Sequence, residues 1–265
     1  MQLRTLFASA AILVSTLIAL PASAAIKTER VAYKDKAGTT LEGYLAYDDA
    51  VTGKRPGIVV VHDWMGIGPF VEEQARNLAL QGYVAFAADI YGKADMPKDQ
   101  KAAAAVAGKY RNGDRTLLRE RALAALQTLS KNARVDASKL AAIGFCFGGT
   151  TAIELAKSGA SLRGVVSFHG GLDAKSVDDS KDIKAKLLVL HGADDPFVPA
   201  ADIGAFKASL NKAKVDWQLV EYAGTVHAFT QPDAGTDNSK GAAYNERSAK
   251  RAFAEMKAFF AEIFG

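Results

Sequence analysis

The chain has 265 residues, of which 49% are hydrophobic and 23% charged, and its 33 basic and 29 acidic side chains leave a formal charge of +4. Such a composition excludes a disordered chain, and without a basic run it gives no basis for nucleic-acid binding. Cys146 is the only cysteine, so no internal disulfide can form.

In chain order, Met1-Gln-Leu-Arg4 supplies a positive charge, residues 5–20 are apolar and uncharged, and Pro21-Ala22-Ser23-Ala24 makes a small-x-small processing site. The pattern predicts a secretory signal peptide over residues 1–24, its apolar run being short for a membrane span. The mature chain, residues 25–265, is then expected to be exported to a bacterial periplasm and to leave the membrane after cleavage. Residues 28–34 and 39–47 alternate apolar and polar around Lys36-Ala-Gly38, which predicts an antiparallel hairpin. Residues 56–62 form a continuous β-branched run, the mark of a strand buried on both faces. A helix over 71–80, closed by Gly82, leads into a second buried strand over 83–88, and helices are predicted over 98–109 and 114–130.

An apolar run at 140–143 passes into Gly144-Phe145-Cys146-Phe147-Gly148-Gly149 and then into a helical stretch over 150–157. Strands over 162–168 and 185–190, a helix over 200–211, and a strand over 215–221 follow. The last helix starts near Tyr244 and places Ala249, Ala252, Phe253, Met256, Phe260 and Ile263 on one face. Strands alternating with helices predict a single α/β domain with a mostly parallel sheet, helices on both faces and no insertion large enough for a lid domain.

A glycine two residues either side of a cysteine, between a buried strand and a helix, reads as a nucleophile elbow. The nucleophile there sits in a strained turn, and flanking side chains would collide with the adjoining strand and helix. Ligands bind beyond the carboxyl ends of parallel strands, where this chain places His62, Asp63, Asp89, Cys146, His169, the segment 191–195 and His227. In the α/β-hydrolase order the acid follows the nucleophile and the histidine comes last. Of the four histidines only His227 follows both Cys146 and the acidic candidates Asp194 and Asp195. The Gly-x-x-Asp turn before Val198 selects Asp195, with Asp194 as the alternative. The oxyanion donors expected from this arrangement are the backbone N–H of Phe147 and that of Trp64.

With Gly-Phe-Cys-Phe-Gly-Gly at 144–149, Gly-Ala-Asp-Asp-Pro at 192–196, Tyr-x-Gly-x-x-His-x-Phe at 222–229 and Ala243-Tyr244-Asn245 before the last helix, the chain from about residue 27 to 264 resembles the dienelactone hydrolase family of the α/β-hydrolase fold. The resemblance implies a Cys146-His227-Asp195 triad, an acyl-thioester intermediate, a small ester or lactone as substrate, and no metal or organic cofactor. Two positions depart from the family. Its glutamate after the first buried strand, which holds the resting thiol, is here Asp63, the residue then expected to orient the nucleophile. Its arginine shortly after the catalytic histidine, which pairs with a substrate carboxylate, has no counterpart in Ala228-Phe229-Thr230-Gln231, leaving Arg115 or Arg119 as candidate replacements. The other readings open to the sequence are a broad carboxylesterase or thioesterase, and a non-catalytic periplasmic binding protein on the same fold.

Overall fold

The computed structural model describes residues 25–265, and the expected signal peptide lies outside them. Strands β1 (Ile26–Lys34) and β2 (Thr40–Asp48) pair antiparallel across a turn in which Gly38 has φ +86°. They are followed by β3 (Arg55–Val61), α1 (Pro69–Leu80), β4 (Val84–Ala88) and the short α2 (Gly92–Asp95). Next come α3 (Gln100–Arg111), α4 (Thr116–Ser130), β5 (Val135–Phe145) and α5 (Phe147–Lys157). The chain closes with β6 (Gly164–Phe168), β7 (Lys186–Gly192), α6 (Ala200–Ala213), β8 (Trp217–Tyr222) and α7 (Glu246–Phe264).

The eight strands lie in one sheet in the order β1-β2-β4-β3-β5-β6-β7-β8. β2 meets β4 antiparallel, and every pairing from β4 to β8 is parallel. Alternate side chains of each buried strand supply two cores, as strand geometry requires. Val59 and Val61 join the face covered by α4, α5 and α6, whereas Ile58 and Val60 join the face covered by α1 and α7. The predicted α/β class and mostly parallel sheet are therefore observed, and the longest excursion between strands, from β4 to β5, holds only α2, α3 and α4.

Two features were not legible beforehand. β5 begins five residues before the apolar run, and its register against β3 shifts between Pro56 and Gly57. Pro56 has no N–H to give to the ladder, which is where such an irregularity is tolerated. α5 is buried along its whole length, including Glu154 and Lys157, because it lies between the sheet and α4.

Candidate active site

Cys146 stands between β5 and α5 with φ 55° and ψ −115°, a conformation that costs a non-glycine residue on the order of 1–3 kcal/mol. Packing around the turn enforces it. A Cβ on Gly144 would lie 1.9 Å from the Gly148 carbonyl oxygen, and one on Gly148 would lie 2.3 Å from that of Val61. The two glycines of the elbow are thus required by close approach of backbone to backbone.

His227 sits just beyond β8, its backbone bridged to residues 241–243 by His227 N–H to Gly241 O at 3.1 Å and Ala243 N–H to His227 O at 3.0 Å. Its Nδ1 is 2.7 Å from Asp195 Oδ2. The other Asp195 oxygen accepts the Phe197 N–H at 2.8 Å. Asp195 is buried, whereas Asp194 is exposed, so of the two carboxylates it is Asp195 that the fold brings to His227. Burial by itself would lower the pKa of His227. The negative charge of Cys146 and the hydrogen bond that His227 donates to Asp195 outweigh it and push the value up to about 10.

Two further histidines, His169 and His62, brace the site. His169, with φ 40°, follows β6 and is fully buried. Its Nδ1 accepts the backbone N–H of Cys146 at 3.1 Å, its Nε2–H donates to Thr230 Oγ1 at 2.8 Å, and its ring packs edge-on against His227. Burial holds it well below the usual histidine value, and the nearby His227 acts in the same direction, so the ring is neutral and free to accept. Sequence order had set His169 aside; only its position next to a strand end hinted at a role. The Cys146 N–H also reaches the Phe168 carbonyl at 3.0 Å, so His169→Phe removes one of its two acceptors together with the partner of Thr230, and a loss of about 1 kcal/mol is expected, read as a lower urea midpoint at unchanged slope. His62 likewise donates from Nδ1 to Asp63 O at 2.6 Å and accepts the Ile90 N–H on Nε2 at 3.2 Å. Asp89 caps the loop after β4 by accepting the N–H groups of Tyr91 and Gly92.

Cys146, His227, Trp64, Phe147 and Asp63 all border one open cavity of about 1180 Å³. Among the described residues neither the Trp64 nor the Phe147 N–H is taken up by a protein acceptor, which leaves both free for an oxyanion. Tyr91 Oη donates to the Trp64 carbonyl at 3.1 Å and so fixes that turn. The Asp63 carboxylate is bonded to Gln231 Nε2 at 2.6 Å and to the Met65 N–H at 2.7 Å rather than to Cys146. The two positions that depart from the family thus meet. Neither candidate arginine is free, because both Arg115 and Arg119 bind the buried carboxylate of Glu154, at 2.9 and 2.7 Å.

A model of the dienelactone hydrolase family matches residues 41–264. A solved structure described as a dienelactone hydrolase-like promiscuous phosphotriesterase from metagenomic libraries is 40% identical, with a TM-score of 0.86, covering 92% of this chain and all of its own. A Bradyrhizobium sp. protein named "Probable 2-oxo-3-(5-oxofuran-2-ylidene)propanoate lactonase" is 30% identical, the match covering 72% of this chain and 81% of that protein. A Salmonella typhimurium protein bearing the name of a carboxymethylenebutenolidase is 28% identical over 86% of this chain and 85% of its own.

Proposed function

The chain belongs to the dienelactone hydrolase family, and we propose that it is an exported hydrolase that opens an ester or lactone bond through Cys146, His227 and Asp195. The observation that carries this reading is His227, held by the buried carboxylate of Asp195 and bordering the same cavity as Cys146; against the effect of burial, the charge of Cys146 and the Asp195 carboxylate push its pKa up to about 10. A thiolate is the attacking form of cysteine, and an adjacent imidazolium stabilises it.

The Cys146 thiolate adds to the carbonyl carbon, and the oxygen takes up the negative charge between the Trp64 and Phe147 N–H groups. His227 then gives its proton to the leaving alkoxide, the carbon–oxygen bond breaks, and an acyl-thioester remains. With the thiolate charge gone, the strongest of the influences that raised the His227 pKa disappears and burial acts in the opposite direction. The neutral ring can therefore take a proton from water, whose oxygen attacks the thioester. The acid leaves, and the thiolate–imidazolium pair is restored.

Hydrolysis of p-nitrophenyl acetate and of dienelactone by the purified mature chain tests the reading, each untreated and after iodoacetamide. Turnover lost on alkylation supports it, whereas a folded, alkylatable protein that turns over neither ester points to the binding-protein reading. The 40% identical phosphotriesterase structure favours a second reading, attack of the same thiolate on phosphorus, which paraoxon in the same assay measures. Export follows from the 1–24 pattern, and N-terminal sequencing of the secreted chain should begin at Ala25.

A further inference from the structure

The carboxylate of Asp63 is held at the cavity wall by two uncharged donors. Gln231 Nε2–H binds Oδ2 and the Met65 N–H binds Oδ1, while the buried ring of His62 fixes the backbone carbonyl of the same residue. Its charge is therefore oriented but not neutralised. Arg115, the buried cation of the cavity wall, is committed to Glu154 and Asp173. The His227 imidazolium is paired with the buried carboxylate of Asp195, and the other cations of the lining, Arg111, Lys175 and Lys240, are solvent-exposed, where water and salt weaken their field. Apolar surface dominates the approach. Of the five large apolar side chains exposed among the described residues, Met65 and Phe197 border this cavity, and Phe197 is 60% exposed while its ring stands edge-on over His227 at 5.4 Å.

We infer that Asp63, held by Gln231, is a specificity-determining residue that keeps the thiol end of the cavity negative and selects uncharged, apolar esters or lactones over substrates carrying a carboxylate. The inference rests on the reading of Cys146 as nucleophile. A substrate carboxylate brought near the thiol meets a like charge in a partly desolvated wall, where repulsion exceeds that in water. Gln231 cannot reverse this, since its amide is neutral and already donates to Asp63.

Matched alkylating agents test the charge without requiring turnover. Iodoacetamide is neutral and iodoacetate anionic, so their rate ratio at Cys146, divided by the ratio for free cysteine, reports the field at the sulfur. The wild-type protein should favour iodoacetamide by at least about tenfold after that correction. Asp63→Asn should shrink the preference several-fold, and Gln231→Arg, which sets a cation against Asp63, should shrink it as well. A second pair, p-nitrophenyl butyrate and mono-p-nitrophenyl glutarate, compares kcat/KM for neutral and anionic esters and should move in parallel. An alkylation ratio that equals that of free cysteine, or that Asp63→Asn leaves unchanged, overturns the inference. Alkylation that responds to Asp63 while neither ester is turned over would retain the negative site and reject the hydrolase reading instead.

Discussion

Cys146→Ala is expected to reduce ester hydrolysis by at least about a thousandfold while leaving the protein folded. The variant keeps the His227–Asp195 pair and the two free N–H groups of Trp64 and Phe147, so the binding and oxyanion stabilisation proposed for them should survive. What it loses, on the proposed mechanism, is the atom that forms the acyl intermediate. In hydrolases of this kind the residual rate without the nucleophile comes from the oxyanion hole and binding alone. Cys146→Ser separates nucleophilicity from geometry. A serine hydroxyl fits the same strained turn but carries no charge at neutral pH, so it removes the strongest of the influences that raise His227. Its activity should fall by at least about a hundredfold, and the pH dependence should move toward that of a neutral histidine acting as base. The measurements are kcat by p-nitrophenol release, the initial burst, and circular dichroism to show that the fold persists. Full activity in Cys146→Ala would mean that another residue attacks.

Glu154→Ala should be the most damaging substitution away from the cavity. Glu154 is 1% exposed and accepts Arg115, Arg119 and Lys157. Arg115 continues to Asp173, and Lys157, itself on α5, continues to Asp179, so two points of the segment between β6 and β7 join the network around Glu154. Burial would raise the pKa of Glu154, but Lys157, Arg115 and Arg119 outweigh it and hold the value below the ordinary 4.5. Removing one member of a buried ion network leaves its partners uncompensated, at a cost of about 3–5 kcal/mol. Urea unfolding should show that loss as a lower midpoint. Because the folded pKa is depressed, the contribution is whole above pH 4.5 and is lost as pH falls through the lower folded value. Glu154→Gln should lack that part of the acid slope. An unfolding free energy within about 1 kcal/mol of wild type in Glu154→Ala would show that the network contributes little.

The hairpin, the buried strands, the elbow and the order of its partners follow from short-range patterns. Alternation marks β1 and β2, a β-branched run marks β3, an apolar run marks β4, and glycines at 144 and 148 mark a turn where no Cβ fits. Those signals are carried by neighbours in sequence, and they were enough to name Cys146 and His227 and the class of fold. The roles of polar groups were decided by which strand ends and loops the sheet brings together. Asp195 and Asp194 are adjacent in sequence and differ only in that one side chain turns inward to His227. His169 became a brace because β6 delivers it beneath the Cys146 amide. Glu154 became the centre of an ion network because α5 is covered on every side. Asp63 and Gln231 lie 168 residues apart, and no local pattern records that they touch. Backbone propensity acts over a few residues, whereas a buried hydrogen bond or charge pair exists only once tertiary packing has excluded water and supplied its partner.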